Sequence, residues 1–370
     1  MQKYGFGLMR LPLTNGEDQT SIDIEQVKIM ADDFMKQGFT YYDTASCYHN
    51  GSSEIAFREA VAKRYPRDSY TITDKLSLFM LKSADEMQSF FDGQLERMGV
   101  DYVDYYLIHA LGDQAYKQAQ EWGAFEFCAK LKAEGKVKHV GFSFHDKADV
   151  LDRILTDHPE VELVQLQINY LDWEDENVQS RACYEVAVKH GKPIVVMEPV
   201  KGGALANVPE SAERLFKDYT PDMSPASWAI RFAASPESVF MVLSGVSNTQ
   251  QMTDNLSFMK DFNCLNKDEL AIIDKASKII KSDIEIGCTA CRYCVEDCPM
   301  NIPIPDYFSV YNNLKRFGSG QRLVSETYYE NLTEKYSKAS ACIKCGKCEE
   351  LCPQHLPIRQ YLEAVAAVFE

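Results

Sequence analysis

The stretch from Tyr41 to Tyr48 in this 370-residue chain has the sequence YYDTASCY. Its two tyrosines lead into Asp43, so it has the pattern of a short strand that ends in an acid, with Tyr48 in the turn beyond. Two later stretches have the same form, because TITDK ends in Lys75 and VDYYLIH ends in His109. Functional side chains at the carboxyl ends of different strands are typical of a (β/α)8 barrel. The three stretches together predict four polar side chains at the mouth of such a barrel.

Strand-like and helix-like patterns alternate along the rest of this region. The strands are predicted at 6–10, 41–44, 71–75, 103–109, 137–143, 163–169, 194–198 and 239–244. The helices are predicted at 23–37, 53–65, 84–98, 119–134, 147–156, 177–190, 224–234 and 249–259, with a closing helix at 266–282. Eight strands, each followed by a helix, indicate a closed parallel barrel rather than an open doubly wound sheet. The first strand also lacks the G-x-G-x-x-G turn of a Rossmann domain.

The composition is that of an ordinary globular protein, with 45% hydrophobic and 25% charged residues. The formal net charge of -16 argues against nucleic acids and anionic membranes as partners, because a polyanion would repel the chain. No apolar run reaches the length of about 18 residues that a membrane span needs. The first residues lack the basic-then-apolar layout of a signal peptide, so we expect a cytoplasmic protein.

The motifs D-T-A-x-x-Y, D-K and L-I-H, in this order, resemble those of the aldo-keto reductase family. The resemblance implies a catalytic tetrad of Asp43, Tyr48, Lys75 and His109. In such a tetrad the tyrosine gives a proton to the carbonyl oxygen, and the lysine beside it lowers the pKa of the phenol. The aspartate holds the ammonium in place, and the histidine orients the carbonyl or shares in the proton transfer. The alternative is a structural salt bridge with a core histidine nearby.

The resemblance also implies that a nicotinamide supplies the hydride. Ser143 and Gln165 match the family's positions for hydrogen bonds to the carboxamide, although Phe144 stands where many members have asparagine. Met197 lies where many members stack an aromatic ring on the nicotinamide, and a thioether can cover that face as well.

Two loops are candidates for the rest of the nucleotide. The turn Lys201-Gly202-Gly203 suits the close approach of backbone to a pyrophosphate, or it is an ordinary loop. The loop at 244–251, which includes Ser247 and Gln251, lies where NADPH-preferring relatives often place Lys or Arg for the 2′-phosphate. It contains no basic residue, and a phosphate without a cation loses charge-assisted hydrogen bonds. Either NADPH or NADH therefore remains a candidate.

Eight of the twelve cysteines fall into two short runs near the end of the chain, and each run is followed by a proline. The runs are Cys288, Cys291, Cys294 and Cys298, and Cys342, Cys345, Cys348 and Cys352. Both have the C-x2-C-x2-C-x3-C-P spacing of bacterial ferredoxins, in which the fourth cysteine of each run ligates the other cluster. The pattern implies two 4Fe-4S clusters: cluster one on Cys288, Cys291, Cys294 and Cys352, and cluster two on Cys342, Cys345, Cys348 and Cys298. Zinc is the alternative, which needs four thiolates per site and no following proline.

Helical spacing at 307–317 and 360–369 indicates that the cysteine-rich region is mostly helical. We therefore predict an aldo-keto reductase barrel at 1–282, followed by a small ferredoxin-like domain at 283–370.

These expectations combine in the NAD(P)H-dependent reduction of a small carbonyl compound, or the reverse alcohol oxidation, with two clusters for electron transfer. One alternative is an electron-transfer or redox-sensing protein, whose barrel binds a nucleotide while the clusters dock a redox partner. Another is that the clusters are only structural. The sequence leaves open the identity of the carbonyl and whether a redox partner protein or a flavin takes part.

Overall fold

The computed structural model, which describes residues 2–175, 178–317 and 322–370, contains a closed barrel of eight parallel strands. The strands pair in sequence order and the last pairs with the first. They are β1 (Tyr4–Gly7), β2 (Tyr41–Asp43), β3 (Thr71–Leu76), β4 (Val103–Leu111), β5 (Val137–Phe144), β6 (Leu163–Gln167), β7 (Ile194–Met197) and β8 (Val239–Gly245). The predicted (β/α)8 fold is confirmed.

The interior of the barrel is filled by one buried apolar layer. Its members are Tyr41, Leu107, Leu163, Val195, Met241 and Leu243. Gly5 leaves room for this layer, since a Cβ built on it would lie 2.8 Å from Leu243 Cδ2 and 3.0 Å from Tyr41 Cδ1. Side chains alternate along a strand, so the residue two positions beyond a member of this layer points into the barrel nearer its carboxyl end. Asp43 and Gln165 hold such positions on β2 and β6.

Each strand overlaps its predicted range, and the largest differences are in β1, β4 and β6, of which β6 ends at Gln167 rather than at residue 169. The first strand covers Tyr4–Gly7, and Leu8–Arg10 form a 3-10 turn, because the ladders of β1 end where Gly7 pairs with Asp43 and Gly245. β4 continues past the predicted end at His109 as far as Leu111.

Helices follow the strands of the barrel. They are α1 (Ile24–Lys36), α2 (Ser52–Phe57), which continues as a π-helical turn at Arg58–Ala62, α3 (Met87–Met98), α4 (Asp113–Glu121), α5 (Ala124–Ala133), α6 (Ala148–Asp157), α7 (Ser180–Lys189), α8 (Glu210–Tyr219), α9 (Pro225–Ala234) and α10 (Thr249–Met259). The helix predicted at 119–134 is in fact two, α4 and α5, which are separated at Gly123 (φ +64°). The prediction also missed α8. The predicted start at residue 177 lies outside the described residues.

A second compact unit contains the cysteine runs. It comprises Asp175, Val178, residues 200–225 and residues 266–370, whereas the rest of the chain forms the barrel unit. Its helices after residue 265 are α11 (Lys267–Asp283), α12 (Tyr293–Glu296), α13 (Ile304–Phe317), α14 (Arg322–Thr333), α15 (Lys347–Glu350) and α16 (Ile358–Phe369). The predicted helical character is confirmed. The division into domains at 282/283 stays a prediction, and residues 200–225 pack with the cysteine-rich unit.

This second unit has its own hydrophobic core. Tyr307 and Phe308 of α13 and Leu362 and Val365 of α16 are buried in it, together with Ile302. Asn266 begins α11 with a capping box, in which its side chain accepts from the Glu269 N–H and the Glu269 carboxylate accepts from the Asn266 N–H. The helix α8 packs along α11 within the unit.

Candidate active site and candidate cluster sites

A buried ion pair lies at the carboxyl end of the barrel strands. Lys75 Nζ donates to Asp43 Oδ1 at 2.6 Å and to the Thr44 carbonyl oxygen at 2.8 Å. Lys75 and Asp43 are 1% and 3% exposed. Burial raises the pKa of the Asp43 carboxyl, and the Lys75 ammonium opposes that shift. A buried charge of this kind is stable only when it is paired, so each residue depends on the other.

Tyr48 lies directly over this ion pair. Its ring centroid is 4.9 Å from Lys75 Nζ, so the ammonium faces the π-surface of the ring. On its other side the ring meets the imidazole of His109 edge-on, with the ring centroids 6.2 Å apart. The structure therefore brings the four residues of the predicted tetrad together.

The electrostatics of Tyr48 differ from the expectation. Burial, followed by the charge of Asp43, raises the pKa of the phenol well above its usual value, whereas the sequence argument had Lys75 lowering it. The ammonium is engaged by Asp43 and the Thr44 carbonyl, and it lies against the ring face. The phenol consequently keeps its proton at neutral pH.

His109 is held neutral at the same site. Burial, and then the nearby charge of Lys75, lowers the pKa of the imidazole well below its usual value. Its Nδ1 is hydrogen-bonded to Ser77 Oγ at 2.7 Å. When the serine hydroxyl is the donor, Nε2 carries the proton and can donate to a carbonyl oxygen. The ring of Phe79, which is 54% exposed, lies 5.4 Å from the imidazole.

The predicted carboxamide ligands lie near the tetrad. Gln165 Nε2 donates to Asp43 Oδ2 at 3.1 Å, and Gln165 and Ser143 are both buried. Ser143 Oγ accepts from the backbone N–H of Ala110 at 2.7 Å. Ala110 follows His109 and has a positive φ of 57°, so this bond supports an unusual backbone conformation beside the histidine. Met197 is the last residue of β7, half-buried.

The loop after β8 is fixed by short polar contacts. Asn248 caps α10 by accepting from the Gln251 N–H at 2.9 Å, and Gln251 Oε1 accepts from the Ser247 N–H at 2.7 Å. Ser247 Oγ donates to the Arg10 carbonyl at 2.8 Å. The helix N-terminus and its amides suit an anion.

Arg10 is a residue at this loop that the sequence reasoning missed. Its side chain packs against Gly245, where an added Cβ would lie 3.2 Å from Arg10 Cβ. Its Nη2 atom lies 4.0 Å from Glu198 Oε1. Arg10 is far from the loop in sequence, so the sequence of the loop does not indicate that a guanidinium lies beside it. The contact between β1 and β8 brings the two segments together.

The turn Lys201-Gly202-Gly203 packs within the cysteine-rich unit. Lys201 is 8% exposed, and its Nζ donates to Gln354 Oε1 at 3.0 Å. Gly202 has φ +63°, and a Cβ on it would collide with the carbonyl oxygen of Thr289. The prediction that this turn approaches a pyrophosphate stays a prediction.

The eight cysteines of the two runs line two separate cavities. One cavity is lined by Cys288, Cys291, Cys294 and Cys352. The other is lined by Cys298, Cys342, Cys345 and Cys348. Three cysteines of one run and the last of the other thus surround each cavity. Four thiols and an otherwise largely apolar lining fit a 4Fe-4S cluster, whose ligands are cysteine thiolates.

Comparisons with known proteins identify the families that the two regions resemble. The profile of the aldo/keto reductase family matches residues 3–278, and that of a 4Fe-4S dicluster domain matches residues 287–356. An aldo-keto reductase from Mycolicibacterium vanbaalenii is 30% identical over 247 residues, which are 65% of this chain and 79% of that protein. The NADH-specific methylglyoxal reductase of Escherichia coli is 24% identical over 228 residues, which are 57% of this chain and 64% of that protein.

Among solved structures, an aldo-keto reductase from Klebsiella pneumoniae in complex with NADPH matches with a TM-score of 0.57 at 18% identity. The match covers 74% of this chain and 90% of that one, and it shows a shared fold. Among the residues that the structure describes, no helix is long and apolar enough to cross a membrane.

Proposed function

Because the chain belongs to the aldo/keto reductase family, we propose that it reduces a small carbonyl compound with NADH or NADPH through Asp43, Tyr48, Lys75 and His109. The observation that carries this proposal is the buried Lys75–Asp43 pair beneath the ring of Tyr48, with His109 against the same ring. Four polar residues from separate segments converge here, which a structural salt bridge alone does not require. A nicotinamide bound at this site supplies the hydride that reaches the carbonyl carbon.

Tyr48 would donate the proton to the carbonyl oxygen. Its raised pKa keeps the phenol protonated, which is the form that reduction needs. As the proton leaves, negative charge grows on the phenol oxygen, and the Lys75 ammonium near the ring stabilises it. Asp43 keeps that ammonium in place. Neutral His109 would orient the carbonyl oxygen through Nε2–H, since its Nδ1 is bonded to Ser77.

The side chains around the tetrad fit a nicotinamide. Gln165 donates an amide N–H to Asp43, so its carbonyl oxygen can accept a hydrogen bond from the carboxamide of a nicotinamide. Ser143 uses its oxygen as an acceptor and retains a hydroxyl proton to donate. Met197 at the end of β7 would cover one face of the ring.

The choice between NADH and NADPH depends on the loop after β8. Ser247 and Gln251 would take the adenosine end, where α10 begins. Arg10 brings a guanidinium to this loop, but the carboxylate of Glu198 lies beside it and would repel a 2′-phosphate. The relatives differ in the same respect, because the E. coli protein is named NADH-specific and the Klebsiella structure contains NADPH.

We further propose that the two cysteine-lined cavities bind two 4Fe-4S clusters with crossed ligation. The lining of each cavity by four cysteines from both runs supports this assignment. A zinc site needs only four thiolates and no following proline, whereas each run has the ferredoxin spacing and ends in Cys-Pro. Each cluster would exchange one electron at a time with a redox partner.

The catalytic proposal is tested by Tyr48→Phe in anaerobic assays of carbonyl substrates with both nicotinamides. We expect kcat to fall by about 100-fold or more, because the general acid is lost, while the Kd of the nicotinamide stays nearly unchanged. A variant that kept most of its carbonyl reductase activity would contradict the tetrad. Nucleotide binding with no carbonyl turnover in the wild-type protein would instead favour the electron-transfer or sensing alternative.

The cluster proposal is tested by iron content and paramagnetic resonance of anaerobically purified protein. We expect about eight irons per chain. Cys298→Ser should change the signal of the cluster on Cys342, Cys345 and Cys348, although Cys298 belongs to the other run. Damage confined to the cluster on Cys288, Cys291 and Cys294, zinc in place of iron, or only about four irons would refute the crossed two-cluster assignment.

A further inference from the structure

A buried lysine stands beside the cavity of cluster one. Lys201 Nζ donates to Gln354 Oε1 at 3.0 Å, and Gln354 lines that cavity two residues after Cys352. Lys201 and Gln354 are 8% and 5% exposed, so the ammonium and its amide partner are both removed from water.

Gly202, the residue after Lys201, places this lysine beside the first cysteine run. Gly202 approaches the carbonyl of Thr289 so closely that a Cβ would collide with it, and Thr289 directly follows Cys288 and lines the same cavity. The two residues therefore contact two different parts of the cavity lining: Gly202 contacts Thr289, and Lys201 contacts Gln354.

The Lys201 ammonium lies near ligands from both cysteine runs. Its partner Gln354 is two residues after Cys352, and the adjacent Gly202 contacts Thr289, which follows Cys288. The carboxylate of Asp306 also acts on Cys288, and it is paired with Arg292 at 2.9 Å between Oδ2 and Nη2.

The cavity of cluster two has a different electrostatic environment. Among the described residues that line it, the charged one is Lys347, whose side chain is exposed to solvent. Glu349, next to Cys348, is ion-paired with Arg359 at 2.7 Å between Oε2 and Nη2, and the Arg359 side chain is exposed to solvent. Water screens an exposed ammonium far more than a buried one.

We propose that Lys201 raises the reduction potential of cluster one above that of cluster two. A cluster becomes more negative by one charge when it accepts an electron from a one-electron donor, and a buried cation nearby stabilises that reduced form. Electrons that enter either cluster therefore collect on cluster one. This inference rests on the proposed two-cluster assignment, and it gives the turn after β7 an electrostatic role that the sequence did not reveal.

The test is an anaerobic redox titration of the full chain, followed by paramagnetic resonance, for Lys201→Met, Lys201→Gln and Lys201→Arg. A parallel series in a Cys345→Ser background marks the cluster-two signal through its altered ligand. Lys347→Met is the matched control, because it removes a solvent-exposed ammonium beside the other cavity. Iron content is measured first for every variant.

We expect both neutral variants to lower the ratio of reduced to oxidised cluster one at a fixed potential by about tenfold or more, which is about 59 mV for one electron. Cluster two should change by less than about threefold, and Lys201→Arg and Lys347→Met should leave both clusters within that range. Wild-type protein without two clusters would refute the cluster assignment itself.

Three outcomes would overturn the inference while the two-cluster assignment stands. Lys201→Met could leave both potentials within about threefold of wild type, or Lys201→Arg could shift cluster one as much as the neutral variants do. Loss of cluster-one iron in both neutral variants would show that Lys201 serves assembly instead.

Discussion

Burial acts on two residues of the tetrad in opposite senses. It raises the pKa of the Tyr48 phenol and lowers that of the His109 imidazole, and both changes favour the neutral side chain. The free groups would titrate near 10 and 6.5, so both remain neutral through the physiological range. In the reduction direction this is the required combination, because Tyr48 must hold a proton and His109 must offer an uncharged N–H.

We therefore predict that kcat/KM for carbonyl reduction is constant between about pH 6 and pH 9. The directions of the two pKa shifts give this result. The phenol loses its proton only above its raised pKa, and the imidazole gains one only below its lowered pKa. The measurement is a pH series of kcat/KM with a carbonyl substrate that has no ionisable group. Absorbance of the clusters, followed in the same samples, controls for their loss at the extremes of pH.

A decline in kcat/KM with an apparent pKa of about 8 would show that Lys75 does lower the pKa of Tyr48. An inflection near pH 6.5 that disappears in His109→Asn would show that the imidazole titrates normally.

The sequence predicts the positions of some residues of the candidate site but not those of others. Asp43 and Lys75 could be predicted to lie close together because each is at the carboxyl end of a recognisable strand, and strand ends meet at one edge of a barrel. Ser77 and Arg10 could not, because their roles arise from contacts with His109 and Gly245, which no local pattern indicates.

At the scale of elements, the segment after β7 has a contact that its motif did not predict. Its Lys-Gly-Gly turn has the composition of a phosphate loop, and Gly202 also packs on Thr289 of the cysteine-rich unit. The next helix, α8, packs along α11 of the same unit. Glycines permit close approach to any group, so the sequence alone could not reveal the contact with the Thr289 carbonyl.

Gly202→Ala should destabilise the cysteine-rich unit and reduce its iron content. The substitution combines a positive φ of 63° with a collision at the Thr289 carbonyl, and the conformational part alone costs about 1–3 kcal/mol. Gly203→Ala is the control without a collision, because Gly203 has φ +99°, which strains an L residue at least as much, but no atom lies within 4 Å of an added Cβ. The measurement is anaerobic denaturation of both variants, with iron content determined in parallel. A Gly202→Ala variant with wild-type stability and iron content would show that the contact with Thr289 contributes nothing.

Periodicity located most barrel helices but not their interruptions. The apolar spacing continues across Trp122 and Gly123, so one helix was predicted where Gly123 adopts φ +64° and α4 gives way to α5. Helix α8 was not predicted, although Glu210 and Glu213 suit its first turn, because the barrel pattern assigns one helix to each strand and β7 is followed by two.

At the scale of the whole molecule, the two proposed chemistries differ in electron count. A nicotinamide gives up two electrons together as a hydride, whereas a 4Fe-4S cluster normally takes one. Enzymes that couple such steps generally use a flavin or a substrate radical as an intermediate carrier. No flavin-binding motif is evident in the sequence. We therefore expect that the proposed clusters and tetrad need a third component before they can exchange electrons rapidly.

We predict that NADH or NADPH alone reduces the clusters slowly or not at all, because no one-electron step connects a hydride donor directly to a cluster. The measurement mixes oxidised, flavin-free protein with excess NADH or NADPH under anaerobic conditions and follows cluster absorbance and paramagnetic resonance. Dithionite, a one-electron donor, is the positive control that shows the clusters to be reducible. The same mixture with added flavin, or with a carbonyl substrate, shows whether a third component restores fast transfer. Full reduction of the clusters by nicotinamide alone, within one catalytic turnover time, would show that the two chemistries are coupled directly.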